Sequence, residues 1–189
     1  MRLALPLLLA TFTVPAFAQT PAAAPATQPV NFNVPAAAEK DVASIDAIIA
    51  ALYDVISGPA GQARDWNRLR SLFVPTGRMM PVGVRPDDSV GMRLLQVNDY
   101  VASSGPLLLE KGFHERELAR RTERFGHIAH VFSTYEGKLD ADGHVMRGIN
   151  SLQLMHDNKR WWIVSLMWEA ENPKLSLPAE YLPAKAAGG

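Results

Sequence analysis

"KRWWIVSLMWEAE", residues 159–171, sets large apolar side chains on both sides of an extended chain. Its even positions carry Trp162, Val164, Leu166 and Trp168, and its odd positions Trp161, Ile163 and Met167. With a period of two, this reads as a strand buried on both faces, so the sheet it joins needs two covers. Three further segments upstream share the period: 113–125, 127–139 and 145–156. Between them stand Phe125-Gly126, Asp140-Ala141-Asp142-Gly143 and His156-Asp157-Asn158-Lys159, all suited to hairpin turns.

Before residue 113 the period changes. "DVASIDAIIAALYDVISGP" spaces Ile45, Ile48, Ile49, Leu52 and Ile56 by three and four, which predicts an amphipathic helix with Asp41 as N-cap and Gly58-Pro59 as its stop. "DWNRLRSLF" predicts a shorter one, capped by Asp65, with Trp66, Leu69 and Phe73 on one stripe. "GRMMPVGV" reads as a short strand. "NDYVASSGPLLLEKG" predicts a helix that Gly105-Pro106 kinks or splits. Helices followed by hairpin-linked strands give an α+β domain, with N-terminal helices packed on one face of a strongly curved antiparallel sheet. No segment is left to cover the other face, so a homodimer through that outer sheet face is expected.

Composition bounds the rest. Arg2, the apolar run "LALPLLLATFTVPAF" and Ala16-Phe17-Ala18 have the three-part pattern of a signal peptide, residues 1–18, which predicts a secreted, periplasmic protein with no membrane insertion after cleavage. The run contains prolines and falls short of the about 18 apolar residues that spanning requires. Residues 19–38, rich in Ala and Pro and free of charge until Glu39, read as a disordered tether; 39–183 form the domain and 184–189 a disordered tail. There is no cysteine, so neither a disulfide framework nor a Cys-based metal site is available. Nineteen basic and nineteen acidic residues leave no net charge, which argues against a nucleic-acid binder.

Two helices with Trp66 and Phe73 on the second, a broken third, then "GFHERELARRTERFGHIAHVFSTYEGKL" and "MRGINSLQLMHDNKRWWIVSLMWEAENP" resemble the NTF2-like superfamily, in particular its SnoaL-like and DUF4440-like bacterial members. The resemblance covers about residues 40–173 and implies a cone: a bent antiparallel sheet around the helices, open at one end into a cavity, often dimeric through the outer sheet face. That superfamily holds dehydratases, isomerases, epoxide hydrolases, binding proteins and assembly domains, so the fold leaves activity open.

Strand parity divides the side chains. Even-length loops place Glu115, Glu117, Ala119, Arg121 and Glu123 with Ile128, His130, Phe132, Thr134, Ile149, Ser151, Gln153, Met155, Trp162, Val164, Leu166 and Trp168. Leu118, Ala129, Val131, Ser133, Tyr135, Leu152, Leu154, Trp161, Ile163 and Met167 take the opposite face. The mixed polar and aromatic face is expected to line the cavity and the smoother one to meet a partner. A bulge would exchange part of this assignment. Within the cavity, His130 and Glu117 are the candidate proton-transfer pair, because imidazole titrates near neutrality and a carboxylate orients it. Tyr53, Trp66, Phe73, Tyr100, Arg121, Ser151, Gln153 and Trp168 are the candidate ligand-binding residues.

His127 and His130 stand three apart, hence on opposite faces of a strand, so no metal is expected there, nor any other cofactor. Ser103-Ser104-Gly105 lacks the strand-turn-helix setting of a nucleophile elbow. The expectation is therefore a binding protein for a small apolar or amphipathic ligand. Its rivals are a cofactor-free lyase or isomerase using His130 with Glu117, and an envelope protein-interaction module.

Overall fold

The computed structural model describes residues 34–183. The expected signal peptide, most of the tether and the tail from residue 184 lie outside the described residues. Helices α1 (Glu39–Val42), α2 (Ile45–Ile56) and α3 (Trp66–Leu72) lead into β1 (Phe73–Val84), β2 (Val90–Met92), β3 (Leu95–Gln96) and α4 (Val97–Lys111). The strands β4 (Phe113–Phe125), β5 (Ile128–Leu139), β6 (Val145–His156) and β7 (Trp161–Ala170) follow, then a 3-10 turn at Ala179–Tyr181. The sheet runs β2-β1-β7-β6-β5-β4, with β3 also paired to β1. It is an open, curved, mixed sheet rather than a purely antiparallel one, because β1 lies parallel to β7.

Local chemistry accounts for the helices. Ser44, not Asp41, caps α2, accepting from the Ala47 amide at 3.0 Å. Asp41 is instead buried and held by Arg68 of α3 at 2.7 and 3.0 Å, and this hydrogen-bonded guanidinium keeps its carboxyl below the usual range. Asp65 caps α3 as expected, accepting from the Arg68 amide at 2.9 Å. Gln96 and Asp99 form a reciprocal capping box at the start of α4. The predicted split at Gly105-Pro106 does not occur, for α4 is continuous with Pro106 inside it. Pro106 leaves the Ala102 carbonyl without its helical donor, and Ala102 lies on the exposed side, open to solvent. Gly105 lets the helix lie against Trp66, since a Cβ there would sit 3.3 Å from the indole.

The four long strands and their turns fall within a residue or so of the expected bounds, but the two faces are exchanged. Ala129, Val131, Ser133 and Tyr135 of β5, Leu152 and Leu154 of β6, and Trp161 and Ile163 of β7 are buried on the inner face, against the helical core. The uniformly apolar face is the one that the helices cover, because burying it contributes most. The mixed face looks outward and keeps its polar groups near water.

Two bulges move the start of β4 and the end of β7 back inside. Leu118 is extra between the Glu117–Tyr135 and Ala119–Thr134 pairs, and Val164 is extra between Ile163 and Ser165. Glu115, Glu117, Leu166 and Trp168 therefore share the inner face, while Arg121, His130, Ser151, Gln153 and Met167 lie outside.

The expectation that no chain remains for the outer face also needs correction. Residues 172–183 return across it: Thr134 Oγ1 donates to the Tyr181 carbonyl at 2.6 Å, Arg121 donates to the Glu180 carbonyl at 3.1 Å, and Tyr181 meets Phe132 edge-on at 5.1 Å. Thr134 is consequently buried although it faces outward. Farther along, Trp162 lies under the Arg160 guanidinium at 3.6 Å and donates to Asp157 at 2.8 Å. These contacts answer part of the question posed by residues 159–171, since the chain itself supplies much of the second cover.

Where β5, β6 and β7 converge, Gly148 has no room for a side chain. A Cβ there would collide with the Glu169 carbonyl oxygen and stand 2.6 Å from the Tyr135 hydroxyl. Gly148→Ala is expected to cost ~1–3 kcal/mol through overpacking. Urea unfolding checks this: the midpoint should fall at constant slope, and an unchanged midpoint would refute it.

Candidate functional site

The inner face of the sheet and helices α2 and α4 enclose a cavity of about 320 Å³. Leu52, Met79, Leu108 and Leu166 supply apolar walls, with Tyr100 and Trp168 meeting edge-on at 6.2 Å. Leu107, 47% exposed, stands at the mouth beside Ser104. Into this space β4 projects Glu115, and β5 and β6 project Tyr135 and Asn150. The alternation of the strands explains why these polar groups arrive together: each occupies an inward position among apolar neighbours.

Glu115 is the unusual group. Burial among apolar walls raises its carboxyl to about 7, while a hydrogen bond from Asn150 Nδ2 at 3.1 Å pulls the other way. It can therefore be protonated or ionised near neutral pH, which suits donation to a ligand, acceptance from one, or proton transfer. Burial also holds the phenols of Tyr53, Tyr100 and Tyr135 above the ordinary tyrosine range, so they remain hydrogen-bond donors.

Behind Glu115 runs a chain of polar contacts. Asn150 Nδ2 also donates to the Tyr53 hydroxyl at 3.1 Å, which lies 2.7 Å from Ser133 Oγ. Ser133 donates to Glu117 Oε1 at 2.5 Å, and Glu117 pairs with Arg120 at 3.2 Å. Arg120 reaches Asp46 on α2 at 3.0 Å.

Of the residues anticipated from sequence, Tyr100 and Trp168 line the cavity, while Tyr53 and Glu117 stand in the chain behind it. Trp66 packs on α4 at Gly105, and Phe73 is a core residue, 1% exposed. His130 is not beside Glu117: it lies on the outer face, bonded to Ser151 at 3.1 Å and ringed by Arg121, Phe132 and Tyr181. Gln153 is exposed on that same face. His127 stacks on His156 with centroids 6.2 Å apart, away from His130. Among the described residues, no three His, Asp or Glu side chains gather as metal ligands.

Strand parity groups Glu115 with His130, on the face that proves to be the outer one, and only the Leu118 bulge returns it to the cavity; sequence reasoning misses Asn150 altogether. The available signal is a polar residue recurring at inward positions of otherwise apolar strands, at Glu115, Ser133 and Asn150.

No family model and no curated protein matches the chain. Solved structures do. A protein from Kribbella flavida aligns over 69% of this chain and 90% of its own, with a TM-score of 0.52 at 11% identity. A protein of unknown function with a cystatin-like fold from Nostoc punctiforme aligns over 69% and 92%, with a TM-score of 0.51 at 13% identity. An NTF-2 like protein of unknown function from Silicibacter pomeroyi aligns over 68% and 94%, with a TM-score of 0.47 at 16% identity. Such identities speak to architecture and leave chemistry to the site. The helices packed inside a curved, unclosed sheet give this chain an α+β architecture similar to that of the Nostoc punctiforme protein with its cystatin-like fold.

Proposed function

We propose that this protein binds a small, largely apolar or amphipathic molecule in its inner cavity, with one polar group of the ligand at Glu115 and Asn150. The observation that carries the reading is a cavity of about 320 Å³ with largely apolar walls, broken by Ser104, Asn150, the Tyr100 and Tyr135 phenols and a carboxyl poised near pH 7. Its size suits a compact organic ligand, and a few polar groups among aromatic walls are what such sites use for orientation. Glu115 favours a second reading, in which the bound molecule undergoes cofactor-free proton transfer, as in a lyase or isomerase; Glu115 takes the role first considered for His130. Export from the cytoplasm and self-association through exposed outer-face residues such as Val164 and Met167 belong to the same proposal.

Native mass spectrometry, repeated under denaturing conditions, tests the binding reading on protein purified from its own cells. The expected result is a small molecule released on denaturation. Leu107→Trp, which fills the mouth, should weaken retention roughly tenfold or more, equivalent to about 1.4 kcal/mol. Met167→Lys on the outer face should leave retention unchanged. An empty wild-type protein, or a passenger that survives Leu107→Trp and is lost with Met167→Lys, would sink the reading.

A further inference from the structure

We infer that Glu117, outside the cavity, sets the protonation of Glu115 by dictating which way every hydrogen points along Ser133, Tyr53 and Asn150. Glu117 is thus a positioning residue for the cavity carboxyl. The inference rests on the reading that Glu115 is the working polar group of the site.

The hydrogen-bond directions follow one another. Arg120 Nε stands 3.2 Å from one oxygen of Glu117 as an ion pair, and Ser133 donates to the other at 2.5 Å. Having spent its hydrogen, Ser133 Oγ accepts from the Tyr53 hydroxyl at 2.7 Å. The Tyr53 oxygen, its own hydrogen spent, accepts from Asn150 Nδ2 at 3.1 Å. That leaves the second amide hydrogen for Glu115 Oε1 at 3.1 Å. A carboxylate at Glu117 therefore presents a donor, not an acceptor, to Glu115 at the other end of the line. All links are buried or partly buried, so water competes weakly for them.

A glutamine at position 117 reverses this order. One end of its amide must face Arg120, a fixed donor, and only its oxygen can do so. Its NH2 group then faces Ser133, which must accept and turn its hydrogen to Tyr53. Tyr53 in turn donates to the Asn150 side chain, which flips to offer its oxygen. That oxygen lies against Glu115, where a carboxylate is repelled and a protonated acid is favoured. Simple charge removal acts in the opposite sense, because losing a negative neighbour makes a carboxyl easier to ionise. The sign of the effect therefore separates relay from field.

The other titratable groups facing Glu115 are Tyr53 on α2, Tyr100 on α4 and Tyr135 on β5, with Arg64 beside Tyr100. β6 and β7 contribute Met146, Asn150, Leu166 and Trp168 to the lining, none of which titrates.

The test is a carbon-13 NMR titration of side-chain carboxyls in the ligand-free full chain, with the Glu115 signal assigned by its loss in Glu115→Gln. Glu117→Gln is expected to move the Glu115 midpoint up by roughly one to two pH units, the loss of one hydrogen bond to a charged group. In a Tyr53→Phe background, where the chain is cut, Glu117→Gln should produce no rise. A midpoint that stays or falls in the single variant, or rises equally in the cut background, overturns the inference. Should Glu117→Gln fail to fold, Ser133→Ala asks the same question: it frees the Tyr53 hydrogen for Asn150 and is expected to raise the midpoint, and no rise overturns the relay. Because no ligand is present, an empty cavity in the mass spectrometer would leave this result standing, and a failed relay would leave the cavity reading intact.

Discussion

Glu115→Gln is expected to stabilise the protein at pH 8 and to make no difference at pH 4. In the folded chain the Glu115 carboxyl titrates at about 7, against about 4.3 for an unfolded glutamate. Below the unfolded value both states hold the proton, so burial carries no ionisation penalty. Between the two values the folded state binds more protons than the unfolded one, and stability falls as pH rises. Above 7 the full penalty is present, at most ~3–4 kcal/mol because the carboxyl retains some access through the cavity mouth. The glutamine of the variant carries no such penalty, and its carbonyl can still accept from Asn150. Chemical denaturation of the two proteins from pH 4 to pH 8 checks this: the curves should coincide at the acidic end and diverge through pH 5–7. Parallel curves would mean that Glu115 titrates normally, which would remove the main support for its role in the cavity.

Phe73→Ala should lose ~3–5 kcal/mol of stability without altering the affinity of any ligand held in the cavity. Phe73 follows α3 directly, opens β1 opposite Ile163 and is 1% exposed. Its ring lies so close over Gly77 that a Cβ there would stand 2.9 Å from it. Truncating it leaves a void that neither the parallel β1–β7 pair nor α3 can close without breaking its own contacts. A loss of this size is a large part of what most domains possess. Urea unfolding measures the loss, and titration of the released ligand into folded variant at low temperature measures the affinity. Loss of binding with near-normal stability would return Phe73 to the site, where the helical stripe first placed it.

Much of the architecture is legible in the sequence because the signals are local. The period of two from residue 113, the turn residues near 126, 140–143 and 157–159, and Asp65 before a helical stripe all depend on neighbours within a few positions. The candidate site is only half legible. Tyr100 and Trp168 do line the cavity, but Trp168 does so because the Val164 bulge reverses the facing that parity gave it. His130 is drawn into the same site by a parity argument that is sound within β5 but attached to the wrong cover. Polarity is there taken as the mark of a pocket, when on this sheet it marks the side nearest water.

By itself, then, the sequence determined the α+β class, the order of elements, the hairpin register up to each bulge, and the pairing of inward with inward residues. These follow from backbone sterics and a strict two-residue repeat, which act over short distances. Tertiary structure alone decided which face the helices cover, how Leu118 and Val164 shift register to bring Glu115 and Trp168 inside, and that residues 172–183 return over Thr134 and Phe132. It also brought Glu115, Asn150, Tyr53, Ser133 and Glu117 from α2, β4, β5 and β6 into one hydrogen-bonded line. The physical reason is the same in each case: a face, a bulge or a buried polar contact is chosen by the summed burial of groups far apart in the chain, which no local repeat encodes.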